Sequence, residues 1–230
     1  LPPLEEQKRI AAILDQADAL RRLRQRAIDR LNTLGQAIFH EMFGDPLANT
    51  NIPRKQLGEC VRLINGRAYK KDEERESGTP VLRIQNLNGG DRWFYSDLIL
   101  PDDKYCEKGD LLFAWSATFG PYIWWGDRVI YHYHIWKIEC GPNVTKEYVY
   151  WLLKLLAEDV KRGGRGISMT HATKGGMEQR LIPVPTIDEQ KRFSSIINSL
   201  DHSVKSFREH SDYLGCLFSS LQAKAFRGEL

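Results

Sequence analysis

The sequence predicts an α+β protein in which one mixed α/β domain is flanked by two long helices that form an antiparallel coiled coil. Three observations predict this fold class. Residues 2–18 recur in similar form as residues 185–201, with Glu-Gln-Lys-Arg identical in both copies. Each copy continues with heptad spacing of apolar residues, and the segment between them is rich in aromatic residues, glycine and turn formers. The predicted boundaries are therefore a helix over 1–44, a domain over 45–183 and a helix over 184–230.

The two flanking segments carry apolar residues at alternating steps of three and four, sustained over about four heptads. Such a pattern is typical of helices that pack as a coiled coil. An antiparallel pair is expected because the domain between the copies can return the chain to its starting end. The alternative is a simple stalk or dimerisation element. The predicted packing residues are Ile10, Ile13, Ala17, Leu20, Leu31, Leu34 and Ile38 in the first copy and Phe193, Ile196, Leu200, Phe207, Leu214, Leu217 and Leu221 in the second.

Local signals mark the ends of these helices. Pro3 and the acidic residues after it suit a proline-initiated first turn. Thr186 and Glu189 have the spacing of a capping box, which predicts the start of the second helix there. Gly44 and Gly228 stand where the helices are expected to stop.

The middle segment alternates short strand-like runs with glycine-containing turns. The clearest predicted strands are Pro80–Ile84, Asp110–Trp115 and Val129–Ile138. One helix is predicted over Val144–Val160, because Tyr148, Trp151, Leu152 and Leu155 form an apolar stripe. The middle segment is therefore a mixed α+β domain.

A basic, glycine-rich loop is the first candidate binding element. Residues 160–180 contain several lysines and arginines among glycines and hydroxyl residues, a composition that suits phosphate contacts. The alternative is a solvated surface loop that happens to be basic. The candidate contacts are Arg162, Arg165, Ser168, Thr170, His171, Thr173 and Lys174.

Three further groups are candidates for nucleic-acid contacts. Arginine, glutamine and asparagine make bidentate contacts with base edges, which singles out Arg83, Gln85, Asn86, Asn88 and Arg92. Alternatively, the first two lie on the outward face of a strand and the asparagines form turns. A second group, Arg67, Lys70 and Lys71, could grip the DNA backbone, unless the acidic residues that follow pair with it. The third, Trp115, Ser116 and Thr118, could approach a ligand closely or form only a turn.

Metal and cofactor motifs are not apparent. His132 and His134 would share one face of a strand, but zinc needs three or four protein ligands and nothing nearby completes a set. The four cysteines form no CxxC pair, and no phosphate-binding loop, dinucleotide fingerprint or nucleophile elbow occurs. The net charge of +3 permits nucleic-acid binding without arguing for it. We predict a binding subunit with no catalytic residues, no metal and no cofactor of its own.

Several segments together resemble the specificity subunit of type I restriction-modification enzymes. They are the opening PPLEEQKRIAAILDQADALRR, the helix ending in IFHEMFGDP, the segments GTPVLRIQNL and KGDLLFAWSATFG, the return LIPVPTIDEQKRF and the terminal AFRGEL. Compared with a complete subunit of that family, which alternates two target recognition domains with two helical regions, this chain has both helical regions and one target recognition domain.

The resemblance implies that the domain reads one half of a split double-stranded DNA target while the helices set the gap between halves. It also implies that the helices dock methyltransferase (modification) subunits and, through the complex, a restriction subunit. S-adenosylmethionine, ATP and Mg are then expected on those partners. The chain is expected to be cytoplasmic, in a bacterium or archaeon, and no membrane partner is expected.

Alternatives remain at this point. The chain begins without methionine, so either a first recognition domain precedes it or it is a half-subunit that homodimerises to read a palindromic split site. A nuclease using Asp102, Asp103 and His132 is a second class of hypothesis. A scaffold whose middle domain binds another protein is the third.

Overall fold

The computed structural model describes residues 3–46, 48, 51–161, 173–200, 202, 219–220 and 222–224. The chain divides into two compact units, one of Leu1–Phe39 with Ser195–Leu230 and the other of His40–Ser194. The second unit extends beyond the predicted domain of 45–183 at both ends. It takes in Phe43 and Phe193, whose rings pack edge-on with centroids 5.4 Å apart.

Helix α1, Leu4–Phe43, is 40 residues long, or about 60 Å. Its first turn contains Glu5 and Glu6, and the Gln7 N–H donates to the carbonyl of Pro3, as the sequence predicted. The helix ends at Gly44, whose φ of 71° places it in the left-handed region and whose N–H donates to the His40 carbonyl. Glycine adopts this conformation without a side-chain clash, which explains the position of the helix end.

The second helix, α6, is described over residues 187–200. The predicted capping box is confirmed: the Thr186 N–H donates to Glu189 Oε2 at 2.9 Å, and the Glu189 N–H donates to Thr186 Oγ1 at 3.4 Å. Hydrogen bonds from Thr186 also lower the pKa of Glu189. Residues 202, 219–220 and 222–224 are helical too.

Burial varies among the predicted heptad positions that the structure describes. Ile10, Ile13, Ala17, Ile38 and Leu200 are half-buried and Phe193 is buried. By contrast, Leu20, Leu34 and Ile196 are 55%, 42% and 42% exposed, while Phe39 and Ile197 are buried. The Leu31 side chain and Phe207, Leu214, Leu217 and Leu221 lie outside the described part, and the coiled coil itself stays a prediction.

The described residues of the second unit form ten strands in three sheets. The strands are β1 Arg54–Gln56, β2 Val61–Asn65, β3 Thr79–Leu82, β4 Tyr95–Ser96, β5 Tyr105–Cys106, β6 Leu111–Ala114, β7 Gly120–Ile123, β8 Val129–Tyr131, β9 Ile135–Cys140 and β10 Leu181–Pro183. β1 pairs with β10, the order β2-β9-β6-β7 forms an antiparallel sheet, and the order β4-β3-β8-β5 forms a mixed sheet in which β3 and β8 are parallel. The predicted α+β class is confirmed.

Short helices connect these strands: α2 is Leu57–Cys60, α3 is Ile84–Leu87 and α5 is Lys174–Glu178, and two 3₁₀ turns cover Lys71–Glu73 and Asp102–Lys104. The long helix α4, Lys146–Lys161, packs on β7. Its predicted stripe is confirmed, since Tyr148, Trp151, Leu152 and Leu155 are all buried.

Two predicted strands were wrong in extent. Ile84 begins α3 instead of ending a strand, and residues 132–134 form a turn that divides the predicted strand Val129–Ile138 into β8 and β9. The two strands join different sheets, so the chain must change direction between them. His132 and His134 therefore do not lie on one face of a strand.

Two apolar clusters among the described residues contribute to the core around these sheets. One includes the buried residues Leu82, Leu112, Tyr131 and Ile135, and the other Val81, Phe94 and Ile130. Within the part of the chain that the structure describes, no helix is long and apolar enough to cross a membrane.

Candidate nucleic-acid interface

Four loops of the second unit meet at one place, and we call their residues, 66–75, 83–92, 115–119 and 132–134, the four-loop surface. Each loop follows a strand, β2, β3, β6 or β8, so the two larger sheets both contribute. The sequence pointed to the first three loops. It missed the fourth, whose only signal is the run Tyr-His-Tyr-His, and there it predicted a continuous strand.

The turn 132–134 connects the other loops through backbone hydrogen bonds. The His132 N–H donates to the Leu82 carbonyl at 2.9 Å, and the Tyr133 N–H donates to the Arg67 carbonyl at 3.0 Å. Trp115 adds two bonds: its backbone N–H donates to the carbonyl of His134 at 3.1 Å, and its indole N–H donates to that of Tyr133 at 2.7 Å. Hydrogen bonds with three other segments, at Leu82, Arg67 and Trp115, therefore hold the turn in place.

Gly66 permits the closest approach between these loops. An alanine Cβ at this position would lie 2.2 Å from the Tyr131 carbonyl oxygen and 2.4 Å from that of His132. No real side chain tolerates such distances to backbone atoms, so the loop after β2 reaches the turn only because residue 66 is glycine.

The segment 83–92 is mostly held by its own side chains. Arg83, Gln85 and Asn86 all donate hydrogen bonds to the Arg92 carbonyl. Asn86 is buried and also accepts from the Arg83 N–H at 3.0 Å. Each of these three side chains thus has a partner in the loop's own backbone, and base contacts by them stay a prediction. The Arg92 side chain is exposed.

A small polar network joins the second and third loops. The Tyr122 hydroxyl donates to Asn88 Oδ1 at 3.0 Å and lies 3.1 Å from Thr118 Oγ1. Asn88 Nδ2 in turn donates to the Ile84 carbonyl at 2.9 Å. Asn88 and Thr118 therefore hold two loops together.

The turn 115–119 has an unusual backbone. Ala117 and Phe119 have φ values of 56° and 30°, in the left-handed region that residues with a Cβ rarely adopt. The surrounding packing maintains it: Phe119 is buried edge-on against Phe113, and the half-buried Trp115 stacks on Trp136. Strained backbone of this kind concentrates at functional sites. Ser116 lies in the same turn and is half-buried.

Only some of the cations at 67–71 lack an acidic partner among the described contacts and are exposed for a phosphate contact. The Arg67 guanidinium pairs with Glu73 and lies 4.3 Å above the Tyr69 ring. Hydrogen bonds from Arg67 and from the Lys70 backbone lower the pKa of Glu73. This pairing is the alternative that the sequence left open for the group, and a DNA contact by Arg67 stays a prediction. The neighbouring Lys70 and Lys71 are exposed.

The basic loop is described only at its end. Arg162, Arg165, Ser168, Thr170 and His171 lie outside the described residues. Thr173 caps α5, accepting from the Gly176 N–H at 3.1 Å, and Lys174 pairs with Glu178 at 3.6 Å. Helix α5 packs on α2, so Thr173 and Lys174 have structural roles in the described part of the chain.

The carboxylates considered for a nuclease site have other partners. Asp102 pairs with Arg128 at 2.7 Å, and the Asp103 carboxylate lies 3.7 Å from the Lys104 ammonium. Asp102 also lines a polar pocket of about 340 Å³ with Arg128 and Lys137, and Lys137 lies 3.7 Å from Asp110. Among the described residues, no group of three or more His, Cys, Asp or Glu side chains could hold a metal ion.

The imidazoles of the turn are uncharged at neutral pH. Burial, assisted by the nearby His134 and Arg83, lowers the pKa of His132 to about 4, and burial also lowers the pKa of His134. The ring centroids of His132 and His134 are 4.9 Å apart, so charging one would oppose charging the other.

This pKa predicts acid sensitivity. His132 binds its proton near pH 6.5 when unfolded and near pH 4 when folded, so the unfolded state binds more protons between those values and stability falls as the pH drops through them. After allowance for the partial exposure of His132, we expect the free energy of unfolding to fall by about 1 kcal/mol between pH 7 and pH 5. Urea unfolding of His132→Asn should show a smaller loss over this interval than the parent protein; equal losses would contradict the assignment.

The described residues of the second unit form an α+β domain in which four loops lie together at one surface. Residues 51–210 match the family model of the type I restriction modification DNA specificity domain, and the chain belongs to this family.

Named relatives agree with this family. The chain is 24% identical to the type I restriction enzyme EcoBI specificity subunit of Escherichia coli over 157 residues, which covers 66% of this chain and 33% of that protein. It is 23% identical to the type I restriction enzyme MjaVIII specificity subunit of Methanocaldococcus jannaschii over 244 residues, which covers 93% of this chain and 57% of that protein. The chain thus spans between a third and three fifths of these relatives.

Solved structures share the fold. The HsdS subunit from Thermoanaerobacter tengcongensis gives a TM-score of 0.59 at 22% identity, covering 100% of this chain and 60% of that one. A chain from a study of complex assembly and conformational transition of the type I R-M system gives a TM-score of 0.64 at 22% identity. The match covers 100% of this chain and 61% of that one.

Proposed function

We propose that this chain is a sequence-specific DNA-binding subunit of a type I restriction-modification complex, and that its middle domain binds one half of a split target through the four-loop surface. The observation that carries this proposal is the convergence of four loops from two sheets in a member of the DNA specificity family. Loops positioned by rigid strands are where binding residues concentrate.

Exposed cations on this surface supply the attraction for DNA. Lys70, Lys71 and Arg92 are exposed, and a phosphate contact is the simplest use of each charge. The fixed turns between them then hold the domain in register on the duplex. Phosphate contacts give affinity and orientation, while base contacts give the sequence preference.

The helices are proposed to set the distance between the two halves of the target and to dock the methyltransferase subunits. Leu20, Leu23 and Leu34 on α1 are 55%, 59% and 42% exposed, which supports an apolar face for a protein partner. The restriction subunit joins through the assembled complex. In this proposal the chain is non-catalytic and acts in the cytoplasm of a bacterium or archaeon, and S-adenosylmethionine, ATP and Mg belong to its partners.

Replacing Lys70 and Lys71 together with alanine tests the DNA proposal. In complex with the methyltransferase subunits, the double variant should bind duplex DNA more weakly. The slope of log K against log salt should fall by about 1 for each phosphate that the variant no longer neutralises, since each such phosphate keeps its counterions. Fluorescence anisotropy over a salt series measures both quantities. Lys55→Ala is the matched control, because Lys55 is an exposed lysine on β1.

The outcome separates the competing hypotheses. An unchanged affinity and slope in the double variant would remove the four-loop surface from the DNA interface. A stable complex that binds no duplex at all would favour the protein-binding scaffold instead.

A further inference from the structure

Several of the side chains that the sequence suggested for DNA contacts already have partners within the fold. Arg83, Gln85 and Asn86 bond the Arg92 carbonyl, and Arg67 pairs with Glu73. The lysines at 70 and 71 are suited to phosphates, because an ammonium is a flexible point charge with no fixed geometry. A DNA-binding surface with only these groups would orient the domain without specifying a sequence.

The side chains of the turn 132–134 form a compact aromatic group at the centre of the four loops. The Tyr133 and His134 ring centroids are 3.9 Å apart, those of His132 and Tyr133 are 4.8 Å apart, and Trp115 lies 5.1 Å from His134. All four side chains are half-buried. Each ring therefore keeps part of its surface accessible while its neighbours restrict its rotamers.

The backbone of the turn is fixed as firmly as its rings. Hydrogen bonds with Leu82 at the end of β3 and with Arg67 and Trp115 in two of the loops hold it, and the Ile135 N–H donates to the His132 carbonyl at 2.9 Å. A contact made by groups already held in place loses little conformational entropy on binding, which favours a discriminating contact.

The chemistry of these groups suits base edges better than phosphates. A tyrosine hydroxyl both donates and accepts, and a neutral imidazole has one donor and one acceptor nitrogen. Burial lowers the pKa of His132 to about 4 and that of His134 below its ordinary value, so neither adds positive charge at neutral pH. The base edges of the major groove present the matching donors and acceptors.

We propose that the turn 132–134 contacts base edges and determines part of the sequence specificity, with the Tyr133 hydroxyl and the His134 imidazole as uncharged hydrogen-bonding groups. This inference rests on the proposed DNA-binding function and adds to it the residues that discriminate sequence. Because the contacts are uncharged, they release no counterions. Removing them should change sequence preference and leave the salt dependence of binding as it was.

The test uses Tyr133→Phe and His134→Ala in complex with the methyltransferase subunits. Mapping the bases methylated by the parent complex identifies the target duplex. Affinities for the target and for an unrelated duplex are then measured over a salt series. We expect each variant to lose about tenfold in the ratio of target to unrelated affinity, as for one base contact. Tyr95→Phe, in the half-buried tyrosine of β4, is the control and should keep the parent ratio.

The outcomes are distinct. If both variants keep the parent ratio while remaining folded, the turn does not read bases. If the salt slope falls with the ratio, the contact is to phosphate and the inference is wrong. Tyr133→Phe removes a single oxygen, so its thermal unfolding should match that of the parent. A parent complex with no preference for any duplex would overturn the proposed function itself.

Discussion

Replacing Gln190 with leucine should lower the free energy of unfolding by about 3 kcal/mol or more. Gln190 is fully buried at the start of α6. Its Oε1 accepts from the Thr145 N–H at 2.9 Å, and its Nε2 donates to the carbonyls of Asn143 and Pro185 at 3.0 and 2.9 Å. Leucine fills a similar volume but leaves three backbone groups without partners, each worth roughly 1–3 kcal/mol.

The loss extends to the neighbouring helix. Thr145, which Gln190 holds, accepts from the Tyr148 N–H in the first turn of α4, and Ser194 donates to Glu147 at 3.0 Å. Urea unfolding and thermal melting measure the effect, with a fall in Tm of roughly 6–12 °C for 3 kcal/mol in a protein of this size. Gln179→Leu, at a more accessible glutamine of the same unit, should change stability by less than about 0.5 kcal/mol. A loss below about 1 kcal/mol for Gln190→Leu would contradict this account.

Gly66→Ala is expected to destabilise the protein by about 3 kcal/mol or more and to abolish specific DNA binding. The new Cβ would meet the backbone of Tyr131 and His132 at 2.2–2.6 Å, and backbone cannot move aside as a flexible side chain can. Overpacking of this kind usually costs about 1–3 kcal/mol, and more where the neighbours are fixed. Relief of the clash requires the loop after β2 to separate from the turn 132–134.

Gly175→Ala is the matched control for this substitution. Gly175 lies in α5 with nothing within 4 Å of the added Cβ, so alanine should stabilise the helix by up to about 1 kcal/mol. Chemical unfolding and target binding are measured for both variants. Parent-like stability and binding of Gly66→Ala would show that the approach of the two loops is not required.

Much of the helical framework followed from local sequence signals. The start of α1 after Pro3, its end at Gly44 and the Thr186–Glu189 capping box depend on residues within one turn of each other, so a sequence pattern suffices to predict them. The buried stripe of α4 was predictable for the same reason, since its period is that of a helix.

The candidate site was less predictable. The hydrogen-bonding side chains of the segment 83–92 match those that read DNA bases, yet they bond the Arg92 carbonyl, a partner that only the folded loop provides. The turn 132–134 was missed because alternating apolar and polar aromatics have the period of a strand. The predicted strand Val129–Ile138 is divided into β8 and β9 because the two halves pair in different sheets.

The α+β class, the start of both helices and the end of α1 could be predicted from the sequence, because each depends on patterns among residues close together along the chain. Which polar groups form hydrogen bonds within the fold became clear only from the folded structure. The same Glu-Gln-Lys-Arg motif occurs twice, but the role of Gln190 became clear from Asn143 and Thr145, which lie far from it in sequence. A hydrogen bond to a buried backbone group depends on distance in space, and neither composition nor period records that distance.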